Sequence, residues 1–174
     1  MASDMLSWLR STITTDLEAA RAADEASPGP WVNTGQYGCG DAWQIHGAPT
    51  AESGTEWSEE LHDVVPARSG VATAAYEDGG GVWKREAADH IVTHQPRDTI
   101  ARCEAELRIL DLHQPVDGYG RVEYRKLMDP GSVCEVCCFD WDGSRIGKFP
   151  CDTLMALATA RRLRPGFNAE WVSD

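Results

Sequence analysis

Two cysteines separated by two residues, Cys134 and Cys137, and a third at Cys151 with thirteen residues between constrain the C-terminal part of the chain more than any other feature. A Cys-x-x-Cys turn aims two thiolates at one ion, and a third sulfur reached across a hairpin occupies a third corner of a tetrahedron. His113, at the end of the preceding helix, or Cys138, beside the second cysteine, can supply the fourth donor; His94 is a more distant alternative. His113 is preferred, because neighbours such as Cys137 and Cys138 point in different directions and seldom grip one tetrahedral ion. The pattern therefore predicts a structural Zn2+ site built on Cys134, Cys137, Cys151 and His113. Its plain competitor is a set of ordinary buried cysteines.

The chain holds six cysteines among 174 residues. Met1 to Arg10 is amphipathic, without the basic start and apolar stretch of an export signal, so the cysteines read as thiols or ligands in a reducing cytoplasm. No run of about 18 apolar residues offers a membrane span. A chain this long can bury roughly 70% of its unfolded surface, enough for a core without disulfides. The expected division is an α+β body over 1–115 and a metal-stapled hairpin with a C-terminal helix over 116–174, packed as one unit.

The chain carries 16 basic and 28 acidic side chains, for a net charge of −12. Residues 1–100 hold 6 of the basic and 16 of the acidic ones. Such a surface repels nucleic acid and anionic membranes and suits solubility or a basic partner. Arg145, Lys148, Arg161, Arg162 and Arg164 form the one basic stretch that nucleic acid could touch, although basic residues late in a helix also complement its dipole.

Met5, Leu6, Trp8, Leu9, Ile13, Leu17 and Ala20 recur at helical spacing and predict a helix to about Ala23, capped by Ser3 or Asp4 and closed by Ser27-Pro28-Gly29-Pro30. Residues 31–85 are rich in glycine and hold four of the seven tryptophans, with short apolar runs at 43–46 and 71–76, which predicts a small antiparallel β meander. Residues 51–63 read as an exposed loop or short helix. A central helix pair follows, one near Ala87 to Val92 and one starting at Pro96, with Cys103 inside the apolar stripe of the second. After a loop, Val133 to Phe139 and Ile146 to Phe149 read as a hairpin about Asp142-Gly143. A last helix runs over 150–162, and Phe167 and Trp171 suit docking of the tail.

Catalytic signatures are scarce. Neither His-Glu-x-x-His nor His-x-Glu occurs, so the expected zinc lacks the general base of a hydrolase or deaminase. His90 and His94 share a helix face and could bind a metal with Asp89 or His62, yet such pairs also serve as surface residues and helix ends. Cys39 and Cys103 have no nucleophile signature. Gly79-Gly80-Gly81 lacks the phosphate-loop pattern.

Taken in order, Pro28-Gly29-Pro30-Trp31, His90-Ile91-x-x-His94-x-Pro96, Glu104-x-Glu106-x-Arg108-Ile109-Leu110, His113, Cys134-x-x-Cys137, Phe149-Pro150-Cys151-x-Thr153-Leu154 and Glu170-Trp171 resemble a domain-of-unknown-function family of small actinobacterial and actinobacteriophage proteins. The resemblance spans most of the chain and implies a bacterial or phage cytoplasmic setting and a cysteine-plus-histidine ligand pattern. It brings no activity. This chain has Cys138 where the family often has glycine and Asp152 where it often has proline. The expectation is a non-enzymatic accessory protein that binds a protein partner and could self-associate. A small metal-dependent hydrolase using His90 and His94, and a nucleic-acid-associated regulator, are the alternatives.

Overall fold

Apolar residues three and four apart build the first helix, α1, over Ala2–Ala26. Met5, Leu9, Ile13, Leu17 and Ala20 form its buried stripe. The helix begins at Ala2, so Ser3 and Asp4 lie inside its first turn instead of capping it. It also runs three residues past Ala23. Asp24 anchors that extra turn: its Oδ1 accepts from the Gly29 N–H at 3.1 Å and faces Arg97 Nε at 3.2 Å.

The computed structural model describes residues 2–36, 43–58, 63–72, 82, 84–122, 125–137, 146–147 and 149–172. After α1 come β1 (Val32–Gln36), β2 (Trp43–Pro49), β3 (Thr55–Ser58), β4 (Asp63–Pro66), β5 (Arg68–Ala72), α2 (Arg85–Thr93) and α3 (Pro96–Leu112). They continue with β6 (Pro115–Val122), β7 (Arg125–Cys134), β8 (Ile146–Gly147), α4 (Asp152–Ala160) and a 3-10 turn at Ala169–Trp171. This is a mixed α+β chain with small sheets, as its punctuation by glycine and proline predicts. No helix among the described residues is long and apolar enough to cross a membrane. Two compact units emerge, one of Met1–Thr15 with Cys103–Asp174, the other of Asp16–Arg102.

In the unit of Asp16–Arg102, β1, β2 and β5 form an antiparallel sheet in that order, with Ile45 of β2 fully buried. β3 and β4 pair separately from Thr55 opposite Pro66 to Ser58 opposite Asp63. Within the stretch 51–63, expected to be a loop or short helix, Thr55–Ser58 is instead a strand, entered through Gly54 at φ +72°. That left-handed backbone is one glycine adopts without strain. Ala88 of α2 is buried. Asn33 Nδ2 donates to Asp89 Oδ1 at 2.9 Å, tying β1 to α2. Arg85 stacks over the Trp43 ring at 5.4 Å. Trp31 is held at both ends: its N–H donates to Gln95 Oε1 at 3.0 Å and its indole to the Ser27 carbonyl at 2.8 Å.

In the other unit β7, β6 and β8 form a sheet in that order. β6 and β7 are an antiparallel hairpin reaching from Val122 opposite Arg125 to Pro115 opposite Cys134. The loop expected before Val133 is therefore strand over Pro115–Val122 and Arg125–Cys134. β8 pairs with β6 in parallel, so the hairpin leading into the cysteine turn lies one element earlier than the sequence suggests. Met5, Leu9, Ile13, Cys103, Leu110, Val133, Leu154 and Ala158 make the core, each at 0% exposure. Cys103 is the buried small hydrophobe its place in the stripe predicts. Arg161, at the end of α4, pairs with Glu106 of α3; both are nearly buried, at 9% and 14% exposure.

The tail docks as its aromatics suggest. Trp8 lies 5.7 Å from Phe167 and 5.1 Å from Trp171, ring centre to ring centre, and its indole donates to the Pro165 carbonyl at 2.9 Å. Gly166 turns the chain there with φ +81°, and a Cβ on it would meet the Trp8 ring at 3.1 Å. Gly166→Ala is expected to cost about 1–2 kcal/mol from the left-handed backbone alone. Crowding against Trp8 adds to that, and urea unfolding measures the total.

Candidate metal centre

Four donor-bearing side chains converge in the unit that holds the β6–β7 hairpin. His113 follows the last residue of α3, and its N–H donates to the Ile109 carbonyl at 3.0 Å, so it continues the final helical turn. Cys134 is the last residue of β7 and is fully buried. The Glu135 N–H donates to the Gln114 carbonyl at 2.9 Å, extending the strand pairing by one bond before the chain turns through Glu135 to Cys137. Cys137 is exposed. Cys151 sits at the N-cap of α4, 2% exposed, after the cis bond between Phe149 and Pro150.

The geometry of the four is specific. His113 Nδ1 lies 3.3 Å from Cys134 Sγ, 3.2 Å from Cys137 Sγ and 3.3 Å from Cys151 Sγ. All four donor atoms fall within 4.8 Å of one another. A neutral ring nitrogen has one hydrogen or one lone pair, so hydrogen bonding accounts for one of these contacts and not three. A tetrahedral ion with zinc-like bond lengths places each sulfur about 3.6 Å from the nitrogen. The equal spacing is thus compatible with a metal held at the centre. Among the described residues this is the one group of three or more histidine, cysteine or carboxylate side chains gathered in this way.

Without a cation the site keeps the Cys151 and Cys137 sulfurs protonated. Burial pushes the Cys151 thiol up to about 12, and desolvation also raises Cys137. Packed together without a cation, these groups stay neutral thiols near pH 7; a bound metal makes them thiolates and releases their protons. The α4 N-terminus brings the positive end of its dipole to Cys151, which favours the anionic sulfur. Thr153 Oγ1 lies 3.9 Å from Cys137 Sγ. Sequence reasoning missed Thr153. The available signal was its place two residues after Cys151, in the first turn of the helix that the cysteine opens.

The other candidates are not gathered in this way. His90 and His94 meet edge to face, 4.3 Å between ring centres, and both are exposed. Asp89 is engaged on both oxygens, Oδ1 by Asn33 and Oδ2 by Arg85 at 3.5 Å. His62, Cys39 and Cys138 lie outside the described residues, as do Gly79-Gly80-Gly81 and the Asp142-Gly143 turn. Of the basic stretch, Arg161 is buried against Glu106, Arg162 and Arg164 are exposed, and Arg145 and Lys148 are outside the described residues.

No curated protein and no solved structure matches this chain. A family model does, along residues 2–173, and its span takes in all four converging side chains. The chain belongs to that family, a family of unknown function designated DUF6221.

Proposed function

We propose that this chain is a non-enzymatic cytoplasmic accessory protein of an actinobacterium or its phage. In this reading its His113, Cys134, Cys137 and Cys151 hold one structural zinc ion, and it works by binding another protein. The observation that carries the zinc reading is the His113 nitrogen standing equidistant from three sulfurs. Three soft thiolates and an imidazole are the donor set of structural zinc, and four protein donors fill its tetrahedron. A filled tetrahedron leaves no corner for an activated water, which supports scaffold over catalyst. Exposed apolar side chains flank the ligands: Leu112 at 58% exposure precedes His113, and Val136 at 46% sits between the two cysteines of the turn. With the acidic surface, they fit a partner offering apolar contacts beside basic groups.

Native mass spectrometry of the full chain, with and without chelator, tests the metal. One zinc per chain that survives brief exposure to chelator is expected. Two metals, one of them readily lost, would instead restore the hydrolase reading at His90 and His94. Affinity capture with the zinc-loaded chain, from cells that naturally make it, tests the rest. A protein partner retained with zinc and lost without it is expected; recovery of none defeats the binding role.

A further inference from the structure

We propose that Cys137 is a site of oxidative modification at which a peroxide opens the metal centre. This rests on the zinc reading above and adds a regulation to it. The four donors are unequally protected. Cys134 and Cys151 are 0% and 2% exposed, whereas Cys137 is exposed and follows two residues, Glu135 and Val136, that are exposed as well. Of the three cysteines, Cys137 is the one exposed to a small oxidant. Its sulfur is a thiolate whenever the ion is bound, and thiolate character with access is what selects a cysteine for oxidation.

The chemistry closes within the site. The Cys137 sulfur attacks one oxygen of hydrogen peroxide, the O–O bond breaks, and hydroxide leaves and is protonated to water, giving a sulfenic acid. A second sulfur, Cys134 or Cys151, then attacks the Cys137 sulfur; the S–O bond breaks, the oxygen leaves as a second water, and a disulfide forms. Two electrons from two sulfurs reduce one peroxide, and the ion keeps its oxidation state. Both potential resolving sulfurs lie within 4.8 Å of Cys137 Sγ. A disulfide needs about 2.05 Å, so Cys137 must move by a few ångströms, which an exposed turn permits with little packing to break. Afterwards His113 and one cysteine remain, and two donors do not retain a structural zinc against solvent. Cys103, fully buried and away from the cluster, is the internal control.

The test treats the zinc-loaded full chain with stepwise hydrogen peroxide. Released zinc is followed with a coloured chelator, and each cysteine by alkylation and peptide mass spectrometry. Zinc release in step with the loss of two thiols is expected, with the bridge containing Cys137 and Cys137 reacting at least tenfold faster than Cys103. Reductant plus zinc is expected to restore the centre. Zinc retained after Cys137 is oxidised, a bridge that omits Cys137, or Cys134 or Cys151 reacting before Cys137 overturns the proposal while leaving the zinc reading intact. A chain that purifies without metal and takes up none defeats the zinc reading itself, and this inference with it.

Discussion

Replacing Cys151 with serine is expected to abolish stable zinc binding and to loosen the unit built from Met1–Thr15 and Cys103–Asp174. The serine hydroxyl keeps the size of the thiol but does not ionise near neutral pH, so one corner of the tetrahedron loses its anionic donor. Outer partners of a metal ligand are worth about 10–100-fold in affinity, and a direct ligand more, so a loss on the order of 1,000-fold or greater is expected. Structural zinc supplies ~10–16 kcal/mol in small domains, comparable with the whole ~5–15 kcal/mol net stability of an ordinary one. Cys151 is also the residue that opens α4. Serine is itself a good N-cap, so helix content should fall only through the loss of the metal's hold on the unit. Titration against a chelator of known affinity reads the first effect and far-ultraviolet circular dichroism the second. A variant that keeps one tightly held zinc would show that the Cys151 sulfur is dispensable.

Glu106→Ala should be the most damaging single change away from the metal centre. Its carboxylate pairs with Arg161, and the two are 14% and 9% exposed. Removing one partner of a buried pair strands the other charge, at a cost of about 3–5 kcal/mol. Arg161 is poorly placed to find relief, since its Nε has no hydrogen-bond partner among the described residues. The double change Glu106→Leu with Arg161→Met makes the contrast sharp. It removes both charges and keeps much of the volume, and buried pairs replaced in this way are often neutral or stabilising by ~1–4 kcal/mol. Urea unfolding of the three chains separates the cases: a single variant well below the parent, and a double variant close to or above it. A double variant as weak as the single one would mean that packing, and not the stranded charge, sets the cost.

What could be read from the residues followed the strength of each physical signal. The buried stripe of α1 was plain, because Met5, Leu9, Ile13, Leu17 and Ala20 repeat at a helix's own period. Its last turn was not, because Asp24 and Glu25 carry no apolar rhythm and the stabilising contacts come from Gly29 and Arg97. Pro96 marked the start of α3 through its fixed φ. The β6–β7 hairpin escaped notice: Gly118, Gly120, Pro130 and Gly131 look like loop punctuation, yet this backbone pairs along most of its length. Strand pairing is satisfied by main-chain groups that composition does not display. The gathering of the four side chains was legible in the spacing of the cysteines and in the place of His113 at the end of a helix. The exposure of Cys137 beside two buried sulfurs was not, because burial is a property of the whole fold.

The aromatic trio where the tail meets α1 supplies an optical readout. Trp8 and Trp171, 5.1 Å apart ring centre to ring centre, are held in fixed packing that near-ultraviolet dichroism senses and that a released tail would lose. That signal would report tail docking independently of any probe for metal. Following both during stepwise denaturation would reveal whether the two ends of one compact unit let go together or in turn.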